Sequence, residues 1–511
     1  MGSKLGRGRV TRVTAGLALI AAALLTVVAW STSSPVGSFP DEDFHLASIW
    51  CPSLTGEVCN VNHPTTGRTE VEIPKRLRQP WFCYGVSTDE SAACSFDVGD
   101  GTEWWGRVND GEYLGIYYTV LHNLVGPNVF RSVVAIRLFN GTLAVLLIGA
   151  IAALLPQGGR RWMALSVLPV SVPFVVSLIS SVNPSSWAVS GTIAAWFSLN
   201  GALRAPERWR RVALGSLGIV GAAMAAVARA DAAAFLVVML CAVVALNFYR
   251  SRRWVIPAVC AVAVVILAAI GFLGAANSGS IQSGFGSHPI GSGEVDPATG
   301  LPMPPYSRLL STLFALPAIQ LEFFSQLAQG VQAPSLVYVF MVATAGGVFF
   351  AGLRTMNLRK AVALSGTMLV YVAIPIYFLQ LSSGYQSRYT LPLVPVILAI
   401  AVSRAADSGW SIRLTRTQAA SAYILIVVAH SVALHTFIRR YVTGLDVLQL
   451  NLNAQVEWWH AGPSPMATWL VGSLAFAALG FPLVHGSGRQ APGGDVAGEK
   501  ALRLPATESV R

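Results

Sequence analysis

The feature that most constrains this chain is a succession of apolar runs, each about 17–25 residues long, separated by short basic clusters. They lie near 13–31, 132–155, 162–182, 185–203, 211–229, 232–248, 254–274, 334–353, 361–381, 389–404, 418–437 and 466–485. A helix of that length satisfies its own backbone and reaches across a bilayer core. The expected fold is therefore an all-α polytopic membrane protein with about twelve transmembrane helices. Composition agrees: 54% of the 511 residues are hydrophobic and 12% are charged, about half the charged share of a soluble domain.

The net charge of +11 does not form one patch. Arg160–Arg161, Arg204–Arg211, Arg250–Arg253, Arg354–Lys360 and Arg404–Arg416 fall in every second connection, the pattern of cytoplasmic loops. With the basic segment 1–12 ahead of the first run, this predicts a multi-pass protein of the plasma membrane with both termini cytoplasmic. A cleaved signal peptide is the competing reading of 13–31, but the run is long for one and no A-x-A site closes it. Nucleic acid is excluded as a partner, because neither zinc spacing nor an aromatic–basic module accompanies the charge.

The resulting organisation is a first transmembrane helix at 13–31, a large extracytoplasmic loop at 32–131, a multi-helix domain at 132–485 and a disordered cytoplasmic tail at 486–511. Further outer loops are expected near 275–333, Gly/Ser/Pro-rich from Asn277 to Pro305, and near 438–465. The apolar stretches 113–128 and 308–328 are too short or interrupted to span and read as interfacial or re-entrant helices. Cys51, Cys59, Cys83 and Cys94 all lie in the first loop, which predicts two disulfides in an oxidising compartment. Nearest-neighbour pairing is the simplest of three connectivities, and the sequence does not choose. A zinc site with His45 and His63 is the alternative, but no C-x-x-C pair supports it. Cys241 and Cys260 lie in spans and read as packing residues.

Directly after the first span stands Phe39-Pro40-Asp41-Glu42-Asp43-Phe44-His45. Three adjacent carboxylates repel one another and gain proton affinity unless a cation, a metal or an acceptor hydroxyl lies between them. The plain alternative is a solvated turn that ends the helix. Asp97, Asp100, Glu103, Asp110 and Glu112 read as a solvated face, and Trp104–Trp105 and Trp458–Trp459 as interfacial aromatics. Other polar groups stand at outer ends of spans: Asn183-Pro184, Arg229 with Asp231, and Gln386-Ser387-Arg388-Tyr389. Ionisable groups at a membrane are functional candidates by default, and arginine suits phosphate through its planar fork. Simple pairing of Arg229 with Asp231, and snorkelling of Arg388, are the structural alternatives.

Pro40-Asp41-Glu42-x-x-His45 resembles the P-D-E-x-x-H motif of the DUF2142 family of membrane proteins. Ser181-Val182-Asn183-Pro184 resembles its S-x-N-P segment, and Gln386-x-Arg388-Tyr389-x-Leu391-Pro392-Leu393 its Q-G-R-Y-x-L-P-L segment. Tyr117–Tyr118 falls where that family has P-P-L-Y-Y. The order is kept over about residues 13–405. Ser387 replaces a glycine, the prolines before Tyr117 are absent, and the cysteine-bearing loop is an elaboration.

That family in turn is similar to the GT-C class of glycosyltransferases, and the likeness implies a GT-C-like architecture and an inverting transferase of hexosyl or pentosyl groups. Asp41 and Glu42 would be catalytic, Asp41 as base. Asp43 and His45 would position the acceptor or a metal. Arg388, Arg229 and Tyr389 would bind the donor phosphate. The implied partners are a polyprenyl-phosphate sugar donor, a glycan or lipid-linked acceptor and membrane lipid, in assembly of the cell envelope. A divalent cation, Mg or Mn, is the one cofactor the carboxylates could hold, and the residue set does not assign it. The rival readings are a transporter or flippase of lipid-linked glycans, and a non-catalytic assembly component. A transporter calls for polar groups near mid-membrane and a path to both faces, whereas the candidate groups here crowd at one face.

Overall fold

The computed structural model describes residues 2–64, 68–247, 255–277, 305–328, 330–381, 385–404, 409–460 and 462–485. The expected tail at 486–511 and most of the Gly/Ser/Pro-rich stretch lie outside these. The described chain is mostly helical. Helix α1 (Gly2–Thr32) includes the basic N-terminal segment. The loop region that follows holds α2 (Glu42–Trp50), α3 (Gln79–Tyr84) and α4 (Ile116–His122). Then come α5 (Val129–Leu154), α6 (Gln157–Ser171), α7 (Phe174–Ile179), α8 (Ser185–Arg204), α9 (Arg208–Ala228), α10 (Ala230–Asn247) and α11 (Val255–Asn277). The C-terminal part consists of α12 (Pro305–Leu321), α13 (Ser335–Leu353), α14 (Leu358–Leu381), α15 (Leu393–Val402), α16 (Arg416–Val442) and α17 (Pro465–His485).

Among the described residues, eight helices are long and apolar enough to cross a membrane: α1, α5, α9, α10, α11, α13, α14 and α16. The other four expected runs are helical but differ in kind. The run 162–182 is interrupted at Val172-Pro173, where proline supplies no N–H. Helix α8 carries Ser185, Ser186, Ser190, Thr192, Ser198 and Asn200 and is buried on all sides but its last residue, so its surface meets other helices and not lipid. The run 389–404 yields only the ten-residue α15, and 466–485 is α17, apolar over Pro465–Phe481.

Small residues set close packing between α8 and α9. A Cβ on Gly191 would stand 2.4 Å from the carbonyl oxygen of Gly221, and one on Gly221 would stand 2.7 Å from that of Gly191. Close backbone approach of this kind supplies van der Waals contact where no hydrophobic drive separates helix from lipid.

The loop 32–131 is a folded subdomain. Strands β1 (Val61–Asn62), β2 (Glu70–Pro74) and β3 (Thr102–Trp105) form an antiparallel sheet, with Val71 opposite both Val61 and Trp105 and Ile73 opposite Glu103. Val71 and Ile73 point into the core while Glu70 and Glu72 are less buried, the alternation of a half-buried strand. Disulfides join Cys51 to Cys59 and Cys83 to Cys94, the nearest-neighbour pairing, and Cys241 and Cys260 remain thiols. The subdomain is tied to the bundle by Arg440 at the end of α16, which donates to the backbone carbonyls of Tyr84, Ser87 and Glu90.

Candidate functional site

Four segments far apart in sequence converge on the turn between α1 and α2. Asp41 precedes α2 with φ 55° and ψ 21°, the left-handed region that aspartate tolerates better than most residues. It is the single non-glycine residue with positive φ among those described. The turn is pinned from several sides. The His45 N–H donates to the Asp41 carbonyl at 3.0 Å, and the Glu42 N–H to that of Phe39 at 3.1 Å. From the start of α8, Asn183 Nδ2 donates to the Pro40 carbonyl at 2.9 Å, while Asn183 Oδ1 accepts from the Ser185 N–H.

The Asp41 carboxylate lies between two guanidinium groups. Arg107, from the loop after β3, donates to Oδ1, and Arg388, from the turn before α15, donates to Oδ2. Arg107 also engages both oxygens of Asp43, at 2.7 and 2.8 Å. Its loop is docked on α2 by the Asn109 N–H, which donates to Ser48 Oγ at 2.9 Å. Burial pushes the Asp41 carboxyl up, but Arg388, His45 and Arg107 together outweigh it and hold Asp41 well below the usual carboxylate range. Arg388 is 3% exposed. Its Nε and Nη1 are buried with no hydrogen-bond partner among the described residues, as is the neighbouring Ser387 Oγ. Two unsatisfied donors leave this enclosed guanidinium with hydrogen-bonding capacity beyond its pairing with Asp41.

The turn before α15 is itself held. Tyr385 Oη lies 2.8 Å from Gln320 Oε1 and 2.7 Å from Thr390 Oγ1, which ties the Arg388 segment to the end of α12. Arg229, at the junction of α9 and α10, makes a two-pronged pair with Asp231 at 2.9 and 2.8 Å. It also stands 4.6 Å from the Tyr389 ring, and Arg388 stands 5.7 Å from the same ring. Tyr389 thus sits between two cations, within cation–π range of both. Arg229 adds positive charge beside the site, but its fork is taken by Asp231, the pairing that the sequence left as the alternative.

Glu42, expected from the sequence to act on the substrate, is instead enclosed: both it and Arg137 of α5 have no exposed side-chain surface. Arg137 donates to Glu42 Oε1 at 3.1 and 2.8 Å and to Oε2 at 2.8 Å. It also reaches the carbonyls of Ser34 at 2.9 Å and Pro35 at 2.8 Å, and Ser38 Oγ at 3.2 Å. The pair braces the whole turn 31–42, and in this arrangement Glu42 cannot touch a substrate. His45 likewise serves as a brace. Its Nδ1 lies 3.0 Å from Tyr118 Oη, and its ring packs against Phe44 and Tyr113. Burial, opposed by Asp41, pushes its pKa down to about 3, so the imidazole is neutral. Tyr117 Oη accepts from Asn140, which also donates to the Ser181 carbonyl and accepts from Trp187.

The carboxylates do not fit a metal as arranged. Arg107 fills the place between Asp41 and Asp43 that a cation would take, and no cluster of three or more metal-ligating side chains occurs among the described residues. A separate cleft of about 920 Å³ lies between the loop subdomain and α5, lined by Trp50, Arg76, Phe130, Trp458 and His460 among others; neither Asp41 nor Arg388 reaches it.

Residues 24–397 match the family described as predicted membrane protein (DUF2142), so the match covers well over half of the chain. The chain belongs to the DUF2142 family. It is accordingly a multi-pass membrane protein, and the segments that resemble this family's motifs are those brought together here: Asp41 and His45, Tyr117 and Tyr118, Asn183, and Arg388 with Tyr389. No curated protein matches it.

Arg107, Arg137, Asn140 and Gln320 complete the arrangement and were not singled out from sequence. Arg137 had a signal, a lone charge inside an apolar run. Arg107 had none, since it stands in a polar loop among other charged residues.

Proposed function

We propose that this DUF2142 protein is a GT-C-like inverting glycosyltransferase that takes sugar from a polyprenyl-phosphate donor at the outer face of the plasma membrane. The carrying observation is the pairing of Asp41 with Arg388, whose remaining donors are buried and unsatisfied. A transferase of this kind needs a base for the acceptor and a cation for the leaving phosphate, held close together. The acceptor hydroxyl oxygen bonds to the anomeric carbon as the bond from that carbon to the phosphate oxygen breaks. Asp41 takes the hydroxyl proton, and the departing phosphate keeps the electron pair beside Arg388. Glu42 acts through Arg137, positioning the turn.

The proposed twelve passes with both termini cytoplasmic draw support from six helices whose ends meet near the site. The C-terminal ends of α1, α9 and α16 and the N-terminal ends of α5, α8 and α10 share the site end, where the cysteine-bearing subdomain also sits. Oxidised cysteines favour the non-cytoplasmic side for that end. A lipid-borne donor approaching between helices accounts for a transferase embedded in the membrane.

The test is linkage analysis of cell-envelope glycans from a strain lacking the gene, complemented with wild type or Asp41→Asn at matched membrane abundance. Loss of one linkage, restored by wild type alone, is the expected result. Full restoration by Asp41→Asn would remove Asp41 as base and favour transport or assembly.

A further inference from the structure

The base of the proposed reaction is already ion-paired through both oxygens: Oδ1 accepts from Arg107 and Oδ2 from Arg388. A carboxylate so paired binds protons weakly and cannot act as an effective base. Yet the two arginines differ in their surroundings. Arg388 is enclosed with two unsatisfied donors, whereas Arg107 is 42% exposed and also holds Asp43. Enclosed guanidinium donors without partners represent binding capacity left unused in the free protein.

From this we infer that Arg107 and Arg388 form one anion clamp, occupied in the free protein by the Asp41 carboxylate, and that a phosphate ester displaces Asp41 from it. The identity of the phosphate as a sugar donor rests on the function proposed above; the clamp itself does not. With Asp41 displaced, the freed Arg388 Nη2 joins the unsatisfied Nε or Nη1 to offer the phosphate a two-donor edge, with Ser387 Oγ beside it as a further unsatisfied hydroxyl. Arg107 closes from the exposed side while Asp43 keeps its loop in place. The Asp41 side chain is released by rotation about its own bonds. Its backbone stays fixed, because Asn183 holds the Pro40 carbonyl, the His45 N–H holds the Asp41 carbonyl and the Glu42 N–H holds that of Phe39. Once released, Asp41 loses its two cationic partners and gains proton affinity at the moment the donor is in place. Sugar transfer is thereby coupled to donor binding, and Arg107 becomes a catalytic residue that the loop subdomain supplies to the membrane domain.

An internal ligand lowers the apparent affinity for the external one by the fraction of time it occupies the site. Removing the Asp41 charge must therefore tighten phosphate binding, the reverse of what a purely structural ion pair predicts. The full-length protein in nanodiscs of zwitterionic lipid is titrated calorimetrically with dodecyl phosphate and, separately, with inorganic phosphate. Asp41→Asn is expected to bind dodecyl phosphate about tenfold or more tightly than wild type. Asp41→Ser provides a second neutral variant in case the amide fails to fold. Adding Arg388→Gln or Arg107→Gln to either variant is expected to abolish the gain.

Unchanged or weaker binding by both neutral variants overturns the clamp. A gain that survives Arg107→Gln removes Arg107 from it. A gain confined to dodecyl phosphate supports a lipid-borne anion. Equal gains for both ligands keep the clamp and count against the polyprenyl-phosphate donor. The clamp and the transferase reading can therefore fail separately.

Discussion

Glu42 and Arg137 give the sharpest stability prediction, because both side chains are fully buried and each is the other's charge partner. In Glu42→Gln the amide keeps one oxygen for Arg137 Nε and Nη2, but sets an NH2 group where Oε2 had accepted at 2.8 Å. It also takes the acceptor from the Phe39 N–H, which points to Oε2 at 3.3 Å. Leaving a buried guanidinium without its counter-charge costs about 3–5 kcal/mol. Retained bonds from Arg137 to the Ser34 and Pro35 carbonyls place Glu42→Gln near the lower end, about 3 kcal/mol.

Arg137→Leu strips the carbonyls and leaves Glu42 buried, with burial already raising its proton affinity against the pull of Arg137. The sign follows from the raised folded-state pKa: the native state holds a proton that the unfolded state releases. Arg137→Leu therefore loses stability as pH rises above the usual glutamate value and regains it on acidification. The Glu42→Leu/Arg137→Leu double variant is expected to cost less than the two single changes added, with a coupling of about 3 kcal/mol. Equilibrium unfolding in mixed detergent micelles over a pH series measures wild type, the single variants Glu42→Gln, Glu42→Leu and Arg137→Leu, and the double variant. Should Glu42→Gln match wild type within about 0.5 kcal/mol, the bracing role is refuted and a substrate-facing role for Glu42 returns.

Three further outcomes follow from the same geometry. His45 is buried neutral with a pKa pushed down to about 3, so wild-type stability should fall on acidification below the usual histidine value. The fall is about 1.5 kcal/mol between pH 6.5 and 5, and His45→Gln should flatten it; an unchanged slope in the variant would show His45 to be solvated. Asn183→Ala removes the bond to the Pro40 carbonyl and is expected to cost about 1–2 kcal/mol, and if the proposed transfer is the activity, the envelope linkage should fall more than membrane abundance in complemented cells. Arg440→Met frees the carbonyls of Tyr84, Ser87 and Glu90. Limited proteolysis should then cut within 85–95 faster than in wild type, while mass mapping still finds the Cys51–Cys59 and Cys83–Cys94 pairs.

The sequence by itself determined the membrane class, the order of helices and the side-chain types available at their ends. These depend on hydrophobicity over about twenty residues, a local quantity that bilayer thickness reads directly. Short cysteine spacings made nearest-neighbour disulfides the simplest pairing, and the structure has them. Tertiary packing decided which charges meet. Asp41 and Arg388 are 347 positions apart, and Glu42 and Arg137 are 95 apart; no local pattern encodes such a pairing. Packing also separated two adjacent carboxylates into different roles. The left-handed turn at Asp41 directs its carboxylate to the guanidinium pair at the site, while Glu42, one residue on, is turned into the protein against α5. Periodicity within one chain segment cannot distinguish those directions, because the burial of each side chain is supplied by helices that arrive later in the sequence.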